Sequence, residues 1–168
     1  MFIGLFIIRK GKPNPHVRAV CYNHTTALDI LVTAGTGAWS AISKAGIAKN
    51  PIFGTTLRVT RSFLARANQG HDELKNRLTE KPMRFPPLGV FPAGTTTNQK
   101  VQIRFRTGIF LHNPQVQIGT LEYKGYENIF YANSGGPRMI WNIVKSPFMI
   151  CKITYYPDVE EPLNGEEA

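Results

Sequence analysis

Short apolar runs alternate with longer polar or mixed stretches along the chain. His16 to Tyr22 (HVRAVCY) is a compact run with Val, Val and Tyr, and it predicts a buried strand ending just before Asn23. Thr25 to Val32 predicts a helix start, with the threonines as capping residues and Ala, Leu, Ile and Leu behind them. Trp39 to Ser43 predicts the next strand, and Ile47 to Leu64 combines a Pro-Ile-Phe-Gly turn with an apolar segment. His71 to Glu80 has the pattern of a polar-faced helix, with Asp72 and Glu73 in its first turn, where acids suit the helix dipole. Leu88 to Pro92 follows a double proline as a short strand, and Gln115 to Tyr123 alternates as another. Ser134 to Pro137 predicts a loop, Met139 to Val144 a helix and Cys151 to Tyr156 a last strand. Strands interleaved with helical segments predict an α/β fold: a single domain with a mixed or largely parallel sheet flanked by helices.

The two ends differ from this pattern. Residues 1–14 form an apolar and then basic lead, in which Met1 to Ile8 is apolar apart from Gly4, and Arg9, Lys10 and Lys12 follow. The run is far shorter than the roughly 20 apolar residues a bilayer span needs. Its charges follow the apolar stretch, the reverse of a secretory signal. Two readings stay open: a strand or helix packed on the core, or a membrane contact, as an interfacial anchor or the stub of a membrane helix. Residues 15–157 carry the predicted domain. Residues 158–168 form an acidic tail with Gly and Pro, expected to be disordered.

Charge sharpens the partner classes. The chain has 20 basic and 11 acidic residues, a formal +9, yet five of the acids lie in the tail, so the part before Pro157 carries 20 positive against six negative charges, +14. Such a body attracts anionic surfaces: phospholipid headgroups, phosphorylated cofactors or nucleic acid. The basic residues are scattered rather than gathered on one predicted helix, which argues against nucleic acid. Two cysteines, Cys21 and Cys151, make neither a disulfide framework nor a metal site, and the four histidines have no metal-ligand spacing. Gly35-Thr36-Gly37 lacks the third glycine of a dinucleotide loop, and Ser134-Gly135-Gly136 lacks the surroundings of a nucleophile elbow.

The candidate chemistry lies in Asn23 to Asp29 (NHTTALD), at the predicted strand-to-helix junction. His24 and Asp29 cannot meet inside one regular helix, where five residues turn about 500°. They can meet if His24 sits in the turn before the helix and Asp29 one turn in. An acid accepting the His ring N–H fixes the tautomer and leaves the other nitrogen as a general base. That is the His–Asp half of a triad without its protein nucleophile, so the nucleophile would be a substrate hydroxyl.

Asn23-His24-x-x-x-x-Asp29 resembles the first motif of the glycerolipid and lysophospholipid acyltransferase family, and further blocks follow in that family's order. Ser43-Lys44-Ala45, Asn50-Pro51-Ile52-Phe53-Gly54, Arg58 and Arg66 resemble the second region, and Val90 to Asn98 (VFPAGTTTN) resembles the third, Phe-Pro-Glu-Gly-Thr. Thr97-Asn98, then Phe105 to Phe110, resemble the lysophosphatidylcholine acyltransferase branch; Pro114 and the strand after it resemble the fourth motif. The similarity covers residues 15–157. It implies transfer of an acyl group from acyl-CoA to a lysophospholipid hydroxyl, with His24 as base and Asp29 as its orienter. It also implies a substrate-binding set of Asn23, Arg66, Gly94 and Thr95, with Arg66 on the acceptor phosphate and backbone N–H groups near Gly94 at the oxyanion. No metal and no cofactor beyond the acyl-CoA substrate is implied. The implied setting is a membrane surface, on the cytosolic face of the endoplasmic reticulum or another internal membrane. Ala93 stands where the family has Glu, so the alternative is a catalytically silent member that binds lipid or acyl-CoA.

Overall fold

The structure, a computed structural model, describes residues 4–37, 40–49, 51–65, 71–80, 82, 84–112 and 115–158. Seven strands form one sheet: β1 (Gly4–Lys10), β2 (Ala19–Tyr22), β3 (Ser40–Lys44), β4 (Phe63–Ala65), β5 (Leu88–Val90), β6 (Val116–Gly125) and β7 (Phe148–Asp158). Their order is β1-β7-β6-β2-β5-β3-β4. Every junction is parallel except β6–β7, which is antiparallel. Helices α1 (Leu28–Thr36), α2 (Pro51–Val59), α3 (His71–Thr79) and α4 (Tyr131–Lys145) complete the fold. The expected mixed, largely parallel α/β sheet is therefore the one found.

β2 is the keel of the sheet. All four of its residues are buried, as a central strand covered on both faces requires. Alternate side chains enter different layers. Val20 and Tyr22 join Leu28 and Val32 of α1, Leu121 and Tyr123 of β6, and Ile143 of α4. Ala19 and Cys21 join Leu78 of α3 and Leu88 and Val90 of β5. The loops leaving the carboxyl ends of the adjacent parallel strands β2 and β5 consequently emerge side by side, the usual place for a ligand site in an open α/β sheet.

Several elements depart from the sequence expectation for identifiable reasons. Pro51 opens a helix rather than a turn: at the first helical position its missing N–H is one that would go unpaired anyway. Ser134 to Pro137, expected as a loop, lies where the span of α4 is broken into two helical segments. Gly135 takes φ 69° there, and Pro137 follows, so the helix kinks where the sequence pattern predicted an interruption. The threonines do not cap α1: the residue before it is Ala27, with no side-chain cap, and the capping is done from within by Asp29. Trp39, the first residue of the predicted third strand, lies outside the described residues.

At the amino end, the lead forms an edge strand. β1 pairs with β7 in parallel, Leu5 packs against the core, and Phe6, Ile7 and Ile8 are exposed. The reading as a core-packed strand thus holds for Leu5, while three apolar side chains remain on the surface. β7 runs to Asp158, and residues 159–168 of the predicted tail lie outside the described residues. No helix among the described residues is long and apolar enough to cross a membrane.

Candidate active site

The site is built on the turn between β2 and α1. Asn23 follows the last residue of β2, and its side-chain amide continues the ladder to β6. Its Nδ2 donates to the Leu121 carbonyl at 2.9 Å, and the Leu121 N–H donates to its Oδ1 at 2.7 Å. Asn23, expected at the substrate, thus clamps the start of the turn to a strand 98 residues away. Replacing Asn23 by Ala should destabilise the fold by about 1–3 kcal/mol, since a buried strand N–H loses its acceptor. Chemical denaturation measures this; an unchanged midpoint would contradict the clamp.

With the turn held, His24 and Asp29 meet. His24 Nδ1 lies 2.8 Å from Asp29 Oδ2. The same oxygen accepts the backbone N–H of Thr25 at 2.7 Å and of Thr26 at 3.0 Å. One carboxylate oxygen thereby gathers two backbone donors of the turn before α1 and the imidazole, three charge-assisted hydrogen bonds on a completely buried acid. A carboxylate only accepts, so Nδ1 carries the hydrogen and Nε2 is left as the basic nitrogen. The His24 side chain keeps 20% of its surface exposed, so a substrate can reach it.

The loop after β5 closes over the ring. Phe91 stacks on His24 with ring centroids 4.3 Å apart and planes 24° apart. Thr97 donates its N–H to the His24 carbonyl at 2.8 Å. Between them Phe91 to Gly94 forms a tight turn, in which the Gly94 N–H donates to the Phe91 carbonyl at 2.9 Å and Gly94 adopts φ 68°. The Gly94 N–H is therefore taken up by the turn, and its contribution is backbone conformation. Ala93 is buried within the same turn, and Thr95 is exposed. Arg66 lies outside the described residues.

Phe91 and Thr97 fix His24, and sequence reasoning gave them no such role; Phe91 carried only a motif match. Tyr123 was likewise unremarked. Its hydroxyl is buried beside Asp29, and burial together with that carboxylate pushes its pKa far upward. The two cysteines offer no nucleophile: burial pushes the Cys21 thiol up to about 12 and the Cys151 thiol up to about 11. Among the described residues no group of His, Cys, Asp and Glu could hold a metal ion. A cleft of about 450 Å³ lies elsewhere, along α4, lined by Asn133, Arg138 and Trp141 among others, and its Lys145 is paired with Glu127 at 2.9 Å. His24 does not line it.

Comparison with known proteins identifies the family. The family described as Acyltransferase matches residues 12–118, a span that includes β2, the His24–Asp29 turn and the Phe91–Thr97 loop. Lysophosphatidylcholine acyltransferase 2B of Mus musculus is 28% identical over 131 residues, covering 73% of this chain and 25% of that protein. Lysophosphatidylcholine acyltransferase 2 of the same species is 30% identical over 130 residues, covering 72% of this chain and 24% of that one. The chain thus spans about a quarter of the length of these relatives. In fold, it resembles the crystal structure of the 1-acyl-sn-glycerophosphate (LPA) acyltransferase PlsC from Thermotoga maritima, with a TM-score of 0.70 at 18% identity, covering 96% of this chain and 65% of the other. A family match over more than half of the chain, on the segment that carries the His–Asp turn, settles its membership: the chain belongs to the acyltransferase family.

Proposed function

We propose that the protein transfers an acyl group from acyl-CoA to a hydroxyl of a lysophospholipid, with His24 as general base. The observation that carries this reading is the 2.8 Å contact between His24 Nδ1 and the buried Asp29, which leaves Nε2 as the basic nitrogen. The acceptor hydroxyl gives its proton to Nε2 as its oxygen attacks the thioester carbonyl. The new C–O bond forms, the C–S bond breaks, and the proton passes from the imidazolium to the departing CoA sulfur. Asp29 stabilises the imidazolium that exists between these two transfers. A positioned base of this kind contributes about 10²–10⁴-fold. Arg66 offers the acceptor phosphate a planar fork of donors. The basic body suits both the CoA phosphates and an anionic bilayer, which agrees with a membrane-surface location.

The test is to incubate the protein with acyl-CoA and a panel of lysophospholipids and to identify diacyl products by mass spectrometry. A new ester on at least one acceptor is expected. Binding of acyl-CoA or liposomes without any product would contradict this reading and identify the silent, lipid-binding alternative that Ala93 raises.

A further inference from the structure

Directly after the loop that holds His24, residues 101–106 (VQIRFR) run in neither helix nor strand, and every one of them is exposed. Apolar and polar positions alternate: Val101, Ile103 and Phe105 are 58%, 41% and 42% exposed, and the residues between and after them include Arg104 and Arg106. Three apolar side chains within five residues thus stand in water.

The segment is tied to the catalytic loop. The Arg106 N–H donates to the Pro92 carbonyl at 2.9 Å. Its guanidinium lies across Gly94: a Cβ there would stand 2.6 Å from Nε and 2.9 Å from Cζ. Gly94 therefore leaves the space that the Arg106 side chain occupies, in the turn whose Phe91 stacks on His24. No carboxylate of the described residues forms an ion pair with Arg104 or Arg106. The turn itself carries Ala93, which supplies none. A planar, always charged fork over the Gly94 turn, in a segment with exposed apolar side chains, matches a phosphate carried on an alkyl chain.

We infer that residues 101–106 receive the phosphate and chain of an anionic amphiphile, Arg106 binding the phosphate and Val101, Ile103 and Phe105 lying along the chain. This rests on the acyl-transfer reading for its purpose, but its binding chemistry does not. Two substrates carry such a group, the lysophospholipid with its headgroup phosphate and acyl-CoA with its CoA phosphates, and the experiment separates them.

Dissociation constants are measured by calorimetry for long- and short-chain lysophosphatidate, below their micelle concentrations, and for palmitoyl-CoA and CoA, alongside KM and kcat for each substrate. Arg106→Ala is expected to weaken one of the two substrates about tenfold or more, the loss of a charge-assisted hydrogen bond, with kcat within about threefold. Arg106→Lys should recover part of the loss. A change confined to lysophosphatidate assigns the phosphate to the acceptor; one shared by palmitoyl-CoA and CoA assigns it to the donor. Replacing Val101, Ile103 and Phe105 together by Ser should erase the preference for the long chain over the short. All of these positions are exposed, so the thermal midpoint serves as the control for folding. Constants for both substrates that stay within about twofold in Arg106→Ala would overturn the inference, as would a wild-type protein that binds neither. Amphiphile binding through Arg106 without thiol release would instead leave it standing and remove the acyl-transfer reading.

Discussion

Asp29→Asn is expected to lower kcat by on the order of 10³-fold or more while leaving the fold in place. The amide oxygen can take over the N–H groups of Thr25 and Thr26, which now reach Asp29 Oδ2 at 2.7 and 3.0 Å. That same oxygen faces His24 Nδ1 at 2.8 Å, so the ring N–H keeps its acceptor and the NH₂ takes the place of Oδ1. The imidazolium, however, loses the negative charge beside it, and the loss in kcat comes from there. Asp29→Ala separates activity from stability, because it strips the acceptor from two buried backbone donors at the start of α1 and should destabilise by about 2–5 kcal/mol. Parallel measurement of kcat and of the thermal midpoint checks both. An Asn variant within tenfold of wild type would mean that Asp29 serves the fold and not the base.

A large effect on stability away from the dyad is expected at Gly119 of β6. A Cβ there would meet Tyr22 at 2.4 Å from Cε1 and 2.7 Å from Cδ1, and Tyr22 is 1% exposed. The ring has nowhere to go. It is packed edge-on to Tyr155, with centroids 6.3 Å apart, and tilted against Phe91 at 6.2 Å. Gly119→Ala should destabilise by about 1–3 kcal/mol through overpacking. The displaced Tyr22 presses on Phe91, and Phe91 is stacked on His24, so kcat should fall as well. Gly35→Ala provides the opposite sign. It lies within α1 with nothing within 4 Å of its would-be Cβ, so the variant should gain about 0.5–1 kcal/mol. Urea denaturation of the two variants decides the matter: equal midpoints would refute the packing argument.

These couplings show what local sequence could and could not reveal. β2 was legible because a central strand needs an unbroken apolar run, and the His24–Asp29 spacing was legible because only a turn-then-helix geometry lets the pair meet. The job of Asn23 was not legible: its partner is the main chain of Leu121, placed by the sheet order and by nothing near Asn23 in sequence. The capping of α1 was misjudged for a related reason. Threonine before a helix predicts a side-chain cap, but Asp29 supplies the acceptor from inside the first turn and also orients the histidine. The break in α4 was visible as Gly135 and Pro137; the helical segment after it buries Met139, Asn142 and Ile143. Arg106 left only a weak trace, its place in the Phe105 to Phe110 block; its position across Gly94 depends on the tight turn at Phe91 to Gly94.

The central claim is that His24, oriented by Asp29, is the base of an acyl transfer. Release of CoA thiol, followed on mixing the protein with acyl-CoA and a lysophospholipid acceptor, tests it most directly when wild type and His24→Ala are compared at matched thermal midpoints. Acceptor-dependent release by the wild type, reduced on the order of 10²–10⁴-fold in the variant, is the predicted result. Release that is absent from the wild type with every acceptor, or that survives the loss of His24 unchanged, would contradict it.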